Sequence, residues 1–79
     1  MKYVYMIQSE TYPERYYVGA TIDLKRRMND HNTGQSMHTK KFAPWTLVGY
    51  IAFSGPEKAD RFELYLKSGS GRAFAKKHF

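Results

Sequence analysis

Residues 2–20 read KYVYMIQSETYPERYYVGA and contain two short segments typical of β-strands. Residues 2–8 and 16–20 are rich in tyrosine and β-branched side chains, which favour extended backbone. Residues 9–15 lie between them and include serine, proline and charged residues, which favour a turn. The sequence therefore predicts an antiparallel hairpin at the start of the chain.

The rest of the chain predicts one more strand and three helices. In chain order these are a helix over 24–32, a strand over 45–53, a helix over about 56–67 and a helix over about 71–78. Gly34 is placed to stop the first helix, and residues 35–43 are polar and basic, as in a loop. The order ββαβαα predicts an α+β fold, with a small antiparallel three-stranded sheet flanked by helices, in a single domain over 1–79.

Helix caps can also be assigned from the sequence. Thr21 or Asp23 can cap the first helix. Ser54 and Glu57 have the spacing of a capping box for the second helix, and Ser70 can cap the third.

Composition excludes several classes of protein. The 79 residues include no cysteine, which excludes disulfides and zinc–thiolate sites. No segment approaches the about 20 apolar residues of a membrane span, and the N-terminus lacks the pattern of a signal peptide. We therefore expect a cytoplasmic protein that makes no membrane contact.

The charge of the chain points to a polyanionic partner. Thirteen lysines and arginines against seven acidic residues give a formal net charge of +6. A positive potential of this size on a small body favours nucleic acid. A basic surface kept for solubility explains the charge equally well at this stage.

Polar residues interrupt the apolar side of the first helix. At about 100° per residue, Leu24, Arg27, Met28 and His31 fall in one stripe, so Arg27 and His31 are directed toward the sheet. A buried arginine needs an anionic partner. That partner is either a carboxylate of the protein or a bound anion, unless the side chain extends to water.

The second helix has a similar interruption. Its apolar stripe consists of Ala59, Phe62 and Leu66. Glu63 lies on the same side, so three interpretations remain open: a metal ligand, an ion pair with Lys67 at i,i+4, or a partner for Arg27.

The hairpin carries tyrosines that are further candidates for the site. Strand alternation puts Tyr3 and Tyr5 on one face, and the simplest pairing brings Tyr5 near Tyr17, with Gly19 leaving space over the sheet. Packing alone is the more common role of such tyrosines. If they act in chemistry, we expect both polar helices to lean over this one face.

In this order, the residues resemble the GIY-YIG nuclease family. Tyr3-Val4-Tyr5 and Tyr17-Val18-Gly19 are similar to its two tyrosine motifs, and residues 21–32 and Glu63 are similar to later parts of the family pattern. The segment 61–79 resembles the end of small standalone bacterial members. The resemblance covers nearly the whole chain.

The resemblance implies hydrolysis of phosphodiester bonds with a divalent metal, Mg²⁺ or Mn²⁺. It implies a site made of Tyr5, Tyr17, Arg27, His31 and Glu63, with Glu63 as the metal ligand. Tyr3 stands where the first motif usually has glycine, and no asparagine follows Asn32, although many members use a late one.

Two routes can activate the attacking water. A tyrosine acting as a base at neutral pH needs its pKa lowered by about 3 units, which Arg27, His31 and the metal could supply. Alternatively, Tyr5 can pass its proton to neutral His31. The residues do not decide which tyrosine is the base.

Further basic residues are candidates for contacts with nucleic acid. These are Lys40, Lys41, Arg72 and Lys76. The start of the last helix, at Ser70-Gly71, offers N–H groups for an anion. The alternative is a plain helix cap with solvated lysines, which is the better interpretation for Lys76 and Lys77.

The leading hypothesis is a structure- or strand-selective endonuclease acting on DNA with weak sequence specificity. The alternatives are a non-catalytic nucleic-acid-binding module that keeps the fold, and a nuclease that needs a partner protein for targeting. The oligomeric state is left open.

Overall fold

The computed structural model describes all residues from 1 to 79. The elements are β1 (Lys2–Ser9), β2 (Tyr16–Thr21), α1 (Leu24–Asn32), β3 (Trp45–Phe53), α2 (Pro56–Leu66) and α3 (Gly69–His78). A short 3₁₀ turn over Lys40–Phe42 lies in the loop before β3. The predicted order ββαβαα and the α+β class are confirmed.

The sheet has three antiparallel strands in the order β2-β1-β3. Tyr5 in the central strand lies opposite Gly19 of β2 and Tyr50 of β3. A register shift between Met6 and Ile7 marks an irregularity in the pairing with β3. Because β2 has only one neighbour, its outer side is a free edge of the sheet.

The helices cover opposite faces of this sheet. Val4 and Met6 pack with α2 and α3, whereas Tyr5 and Ile7 pack with α1. The expectation that both polar helices lean over one face is therefore wrong. Side chains of β1 point alternately to the two faces and are apolar on both, so each face needs its own helical cover.

Local signals explain where α1 begins and ends. The Asp23 carboxylate accepts a hydrogen bond of 3.1 Å from the backbone N–H of Arg26, as expected for an N-cap. After the helix, Gly34 has a positive φ of 79°, a conformation that glycine adopts without steric cost. Both expectations for this helix are confirmed.

The caps of α2 and α3 differ from the predictions. Gly55 is the N-cap of α2 and makes no side-chain cap hydrogen bond, so the box of Ser54 and Glu57 does not form. The N-cap of α3 is Ser68, whose hydroxyl accepts from the N–H of Gly71 at 3.2 Å. The helix consequently begins two residues earlier than predicted.

One side chain joins α1 to the start of β3. The Asn32 amide donates to the carbonyl of Trp45 at 3.1 Å and accepts from the N–H of Trp45 at 2.5 Å. The loop between these two residues is thus pinned at both ends.

None of the helices combines the length and the hydrophobicity needed to cross a membrane.

Candidate active site

The candidate site lies between β2 and α1, and Gly19 makes room for it. The phenol ring of Tyr5 crosses over Gly19 so closely that a Cβ atom built there would lie 2.6 Å from Tyr5 Cζ. Any side chain at this position would push the ring away. The space expected above Gly19 is therefore present, and the hydroxyl of Tyr5 fills it.

A buried chain of hydrogen bonds starts at this hydroxyl. Tyr5 Oη is 2.7 Å from His31 Nε2, and His31 Nδ1 is 2.6 Å from Thr39 Oγ1. Tyr5 is 1% exposed and His31 and Thr39 are fully buried. The Trp45 indole N–H donates to the Thr39 carbonyl at 2.9 Å and fixes the end of the chain. Every buried side-chain polar atom of the protein has a partner.

Thr39 is the member of this arrangement that sequence reasoning missed. It lies in the loop before β3, eight residues after His31, and no helical or strand periodicity relates the two positions. A buried histidine needs partners for both ring nitrogens, so the inward direction of His31 was the only available signal.

Burial sets the protonation of the two central groups. It lowers the pKa of His31 from its ordinary value of 6.5, and the charge of Arg27 lowers it further. It also raises the pKa of Tyr5 above 10.0, although the neighbouring Arg27 guanidinium acts in the opposite direction. His31 is therefore neutral near pH 7 and Tyr5 is protonated. The surroundings do not lower the pKa of Tyr5 as the tyrosinate route requires.

Arg27 lies beside Tyr5 without a carboxylate partner. The chain contains two ion pairs, Lys2–Asp60 at 2.7 Å and Lys67–Glu63 at 3.0 Å, and Arg27 belongs to neither. The neighbouring Tyr5 is the largest factor that raises the pKa of the guanidinium, so the side chain stays cationic. The interpretation of Arg27 as half of a structural ion pair is wrong.

Glu63 lies on α2, which covers the face of the sheet opposite α1. Its carboxylate pairs with Lys67 of the next helical turn, and its side chain is 24% exposed. Burial is the main cause of the raised pKa of Tyr5, and the charge of Glu63 adds to it. Of the interpretations left open, the pair with Lys67 is present and the pair with Arg27 is absent.

Glu63 is also the residue that could hold a metal ion. No group of three or more histidine or acidic side chains comes together anywhere in the protein. Mg²⁺ commonly uses one or two carboxylates, and water and substrate oxygens supply its other ligands. A single accessible carboxylate fits Mg²⁺ in this mode and does not fit an all-protein metal cage.

The motif tyrosines occupy different surroundings. The Tyr17 ring packs edge-on against His31, with 5.3 Å between the ring centroids. Tyr3 packs against Tyr50 of β3 at 5.8 Å, away from the hydrogen-bond chain. The replacement of the first motif glycine by Tyr3 thus adds a contact with β3.

The basic residues considered for nucleic-acid contacts divide between two sides of the molecule. Lys40 and Lys41 are exposed in the 3₁₀ turn that follows Thr39, whereas Arg72 and Lys76 are exposed on α3. The idea of an anion site at Ser70-Gly71 is wrong, because Gly71 is buried and its N–H is bonded to Ser68.

Comparison with known proteins agrees with this architecture. The GIY-YIG catalytic domain matches residues 1–77. The chain therefore belongs to the GIY-YIG family, and its class is that of a nuclease domain.

Relatives of two kinds are similar to the chain. A UPF0213 protein of Streptococcus agalactiae is 36% identical over 70 residues, which cover 87% of this chain and 80% of that protein. The structure-specific endonuclease subunit SLX1 of Scheffersomyces stipitis is 33% identical over 66 residues, 76% of this chain but only 19% of SLX1. The solution NMR structure of a UPF0213 protein from Bacillus halodurans has a TM-score of 0.57 and 32% identity, covering 96% of this chain and 81% of that one.

Proposed function

We propose that the protein is a divalent-metal-dependent endonuclease that hydrolyses phosphodiester bonds in DNA. The observation that carries the proposal is the unpaired Arg27 guanidinium beside the buried Tyr5–His31 hydrogen bond. A half-buried cation without a carboxylate partner suits an anion supplied by the substrate. The guanidinium fork matches two oxygens of a phosphate group.

Tyr5 and His31 form the proton acceptor in this proposal. A water hydrogen-bonded to Tyr5 Oη gives its proton to that oxygen as the phenol proton moves to His31 Nε2. This route needs a protonated tyrosine and a neutral histidine, which are the states that burial favours. The tautomer that this route needs carries its proton on His31 Nδ1, which then donates to Thr39 Oγ1 and leaves Nε2 free.

Charge stabilisation is shared by Arg27 and Glu63. Arg27 binds the phosphate oxygens on which negative charge builds up during attack. Glu63 would hold Mg²⁺ or Mn²⁺, which when bound supplies Lewis-acid stabilisation of the phosphate and of the leaving alkoxide. The Lys67 ammonium must leave the Glu63 carboxylate for the ion to bind there. Tyr17 packs on His31, beside the position proposed for the attacking water.

The test measures nicking of labelled duplex, single-stranded and branched DNA with Mg²⁺, with Mn²⁺ or with EDTA. We expect Arg27→Ala and Glu63→Gln each to reduce the metal-dependent rate at least about 100-fold, because each removes one group that stabilises the transition-state charge. Arg26→Ala and Glu57→Gln are matched controls on the same helices, both exposed, and should stay within a few fold of wild type.

The competing interpretation is a binding module without catalysis. It is favoured by two observations. Glu63 lies on a helix that covers the face opposite α1, and Lys67 occupies the carboxylate that would hold the metal. DNA binding without cleavage in any metal would establish it. Cleavage that persists in Glu63→Gln would refute the metal site proposed here.

The proposal also covers location, substrate selection and a partner protein. We place the protein in the cytoplasm and expect selection of substrate by structure or strand. The relation to an endonuclease subunit raises the further proposal of a targeting partner protein.

A further inference from the structure

A second feature lies on the face of the sheet opposite α1. A cleft of about 990 Å³ runs between the hairpin, the end of α2 and α3. Its apolar floor consists of the partly exposed Val18, Val48 and Phe79, which lie over the buried Met6 and Leu66. These three partly exposed side chains offer apolar surface to a ligand.

The rim of the cleft is mainly cationic. Lys67, Arg72 and Lys76 line it, with Glu14 as the single acid on the same rim. Arg15 also borders it, but its guanidinium lies over the Phe42 ring at 4.8 Å. Neither Arg72 nor Lys76 has a carboxylate partner, so both are available to phosphate groups.

An exposed aromatic side chain completes the lining. Tyr16 at the start of β2 is 54% exposed, although its hydroxyl accepts a hydrogen bond from Gln8. An open ring beside cations is the combination that binds single-stranded nucleic acid, because bases stack on the ring while the backbone follows the charges. A duplex keeps its bases stacked inside and would leave the apolar floor unused.

Two residues of the cleft also contact residues of the candidate active site. Tyr17 borders the cleft and also packs on His31. Lys67 lines the cleft and also holds the Glu63 carboxylate. A strand whose scissile phosphate lies at Arg27 can therefore pass round the edge of β2 and enter the cleft.

We propose that this cleft receives an unpaired DNA segment next to the scissile phosphate, with bases on its apolar floor and phosphates on Arg72 and Lys76. The proposal rests on the proposed endonuclease function and names its substrate class, which is DNA with a single-stranded branch or end. The cleft then selects the strand, while the site between β2 and α1 carries out the cleavage.

The first experiment measures binding of a fluorescent oligothymidylate and of a matched duplex by anisotropy, in EDTA so that no cleavage is needed. We expect the double variant Arg72→Ala/Lys76→Ala to bind the single strand at least about 10-fold more weakly and to reduce the slope of log K against log salt by about 1.4. The double variant Lys58→Ala/Arg61→Ala removes the same two charge types from exposed positions of α2 outside the cleft. It should bind the single strand at least about 3 times more tightly than the cleft variant.

A second comparison tests stacking. Tyr16→Ala should weaken single-strand binding about 5-fold or more and Tyr16→Phe should not, because the ring and not the hydroxyl contacts the base. Tyr50→Ala removes a similarly exposed tyrosine that lies opposite Tyr5 in β3, outside the cleft, and should have no effect.

The binding experiments on the cleft and the nicking assay can fail independently of each other. Equal losses in both double variants, or tighter binding of an acidic peptide than of the oligonucleotide, would overturn the cleft proposal even if the protein cleaves DNA. Selective single-strand binding through the cleft supports the proposal as a binding site even if no DNA is cleaved, and in that case the endonuclease function alone fails.

Discussion

The two faces of the sheet are built from different chemistry. Beneath α1, the buried groups include polar side chains joined by hydrogen bonds, from Tyr5 through His31 to Thr39. Beneath α2 and α3, the core consists of Val4, Met6 and other apolar side chains, with aromatic rings around them. Both faces share the same central strand.

This difference indicates that one face mainly stabilises the fold and the other mainly fixes the geometry of polar groups. Apolar burial contributes most of the favourable free energy of folding, whereas a buried polar chain costs desolvation and gains mainly a fixed geometry. We therefore expect substitutions on the α2–α3 face to affect stability first, and substitutions on the α1 face to affect chemistry first.

Leu66→Ala should give the largest loss of stability. Leu66 is 1% exposed in the apolar core, and truncating a buried leucine typically costs about 2–5 kcal/mol. Urea denaturation measures the loss, and Leu64→Ala is a matched control, because Leu64 is 71% exposed on the same helix. Similar losses in the two variants would contradict the assignment of the core to this face.

Gly19→Ala should have a smaller effect on stability and should also reduce activity. The new methyl group would overlap the Tyr5 ring, so we expect a loss of about 1–3 kcal/mol together with displacement of Tyr5 from His31. Gly49→Ala in β3 meets only ordinary contacts with Phe79 at 3.9 Å and serves as the control. Denaturation and nicking assays on both variants test the prediction, and unchanged activity in Gly19→Ala would contradict it.

Histidine protonation should produce a pH dependence confined to the polar face. His31 has a pKa below 6.5 in the folded protein, so the unfolded chain binds more protons at mildly acidic pH. The stabilisation is complete above about pH 6.5 and is lost as the pH falls below that value toward the folded pKa.

Urea denaturation of wild type and His31→Gln between pH 7.5 and 5 measures this effect. The wild type should lose more stability than the variant over that interval. A constant difference between the two proteins would show that His31 does not titrate as described.

Arg27→Met should give the smallest change in stability. Arg27 has no ion pair to lose and is only partly buried, and methionine keeps its apolar stem, so we expect a change within about 0.5 kcal/mol. Thermal denaturation measures this, beside a nicking assay in which the variant should lose activity. A large loss of stability would instead make Arg27 a structural residue.

Local patterns were sufficient to predict the framework. The alternation in the hairpin, the stripe of α1 and the spacing of Gly34 each depend on neighbouring residues, and the structure confirms all three. The inward direction of Arg27 and His31 also followed from helical periodicity.

The features that could not be predicted from the sequence depend on contacts between distant segments. Thr39 meets His31 only because the loop before β3 folds back beneath α1. The side of the sheet chosen by α2 was missed because periodicity identifies the buried stripe of a helix and not the face that it covers. The raised pKa of Tyr5 likewise depends on burial by the complete fold.

The pinning of Trp45 by Asn32 has a consequence for how such a chain can vary. A loop whose two ends are already joined loses little stability through extra length, since doubling a flexible loop costs only about 0.6 kcal/mol. Insertions between Gly34 and Ser36 would enlarge a surface lobe while the sheet and the helices keep their places. The length of this segment can therefore vary at little cost to folding, as long as Thr39 still reaches beneath the helix.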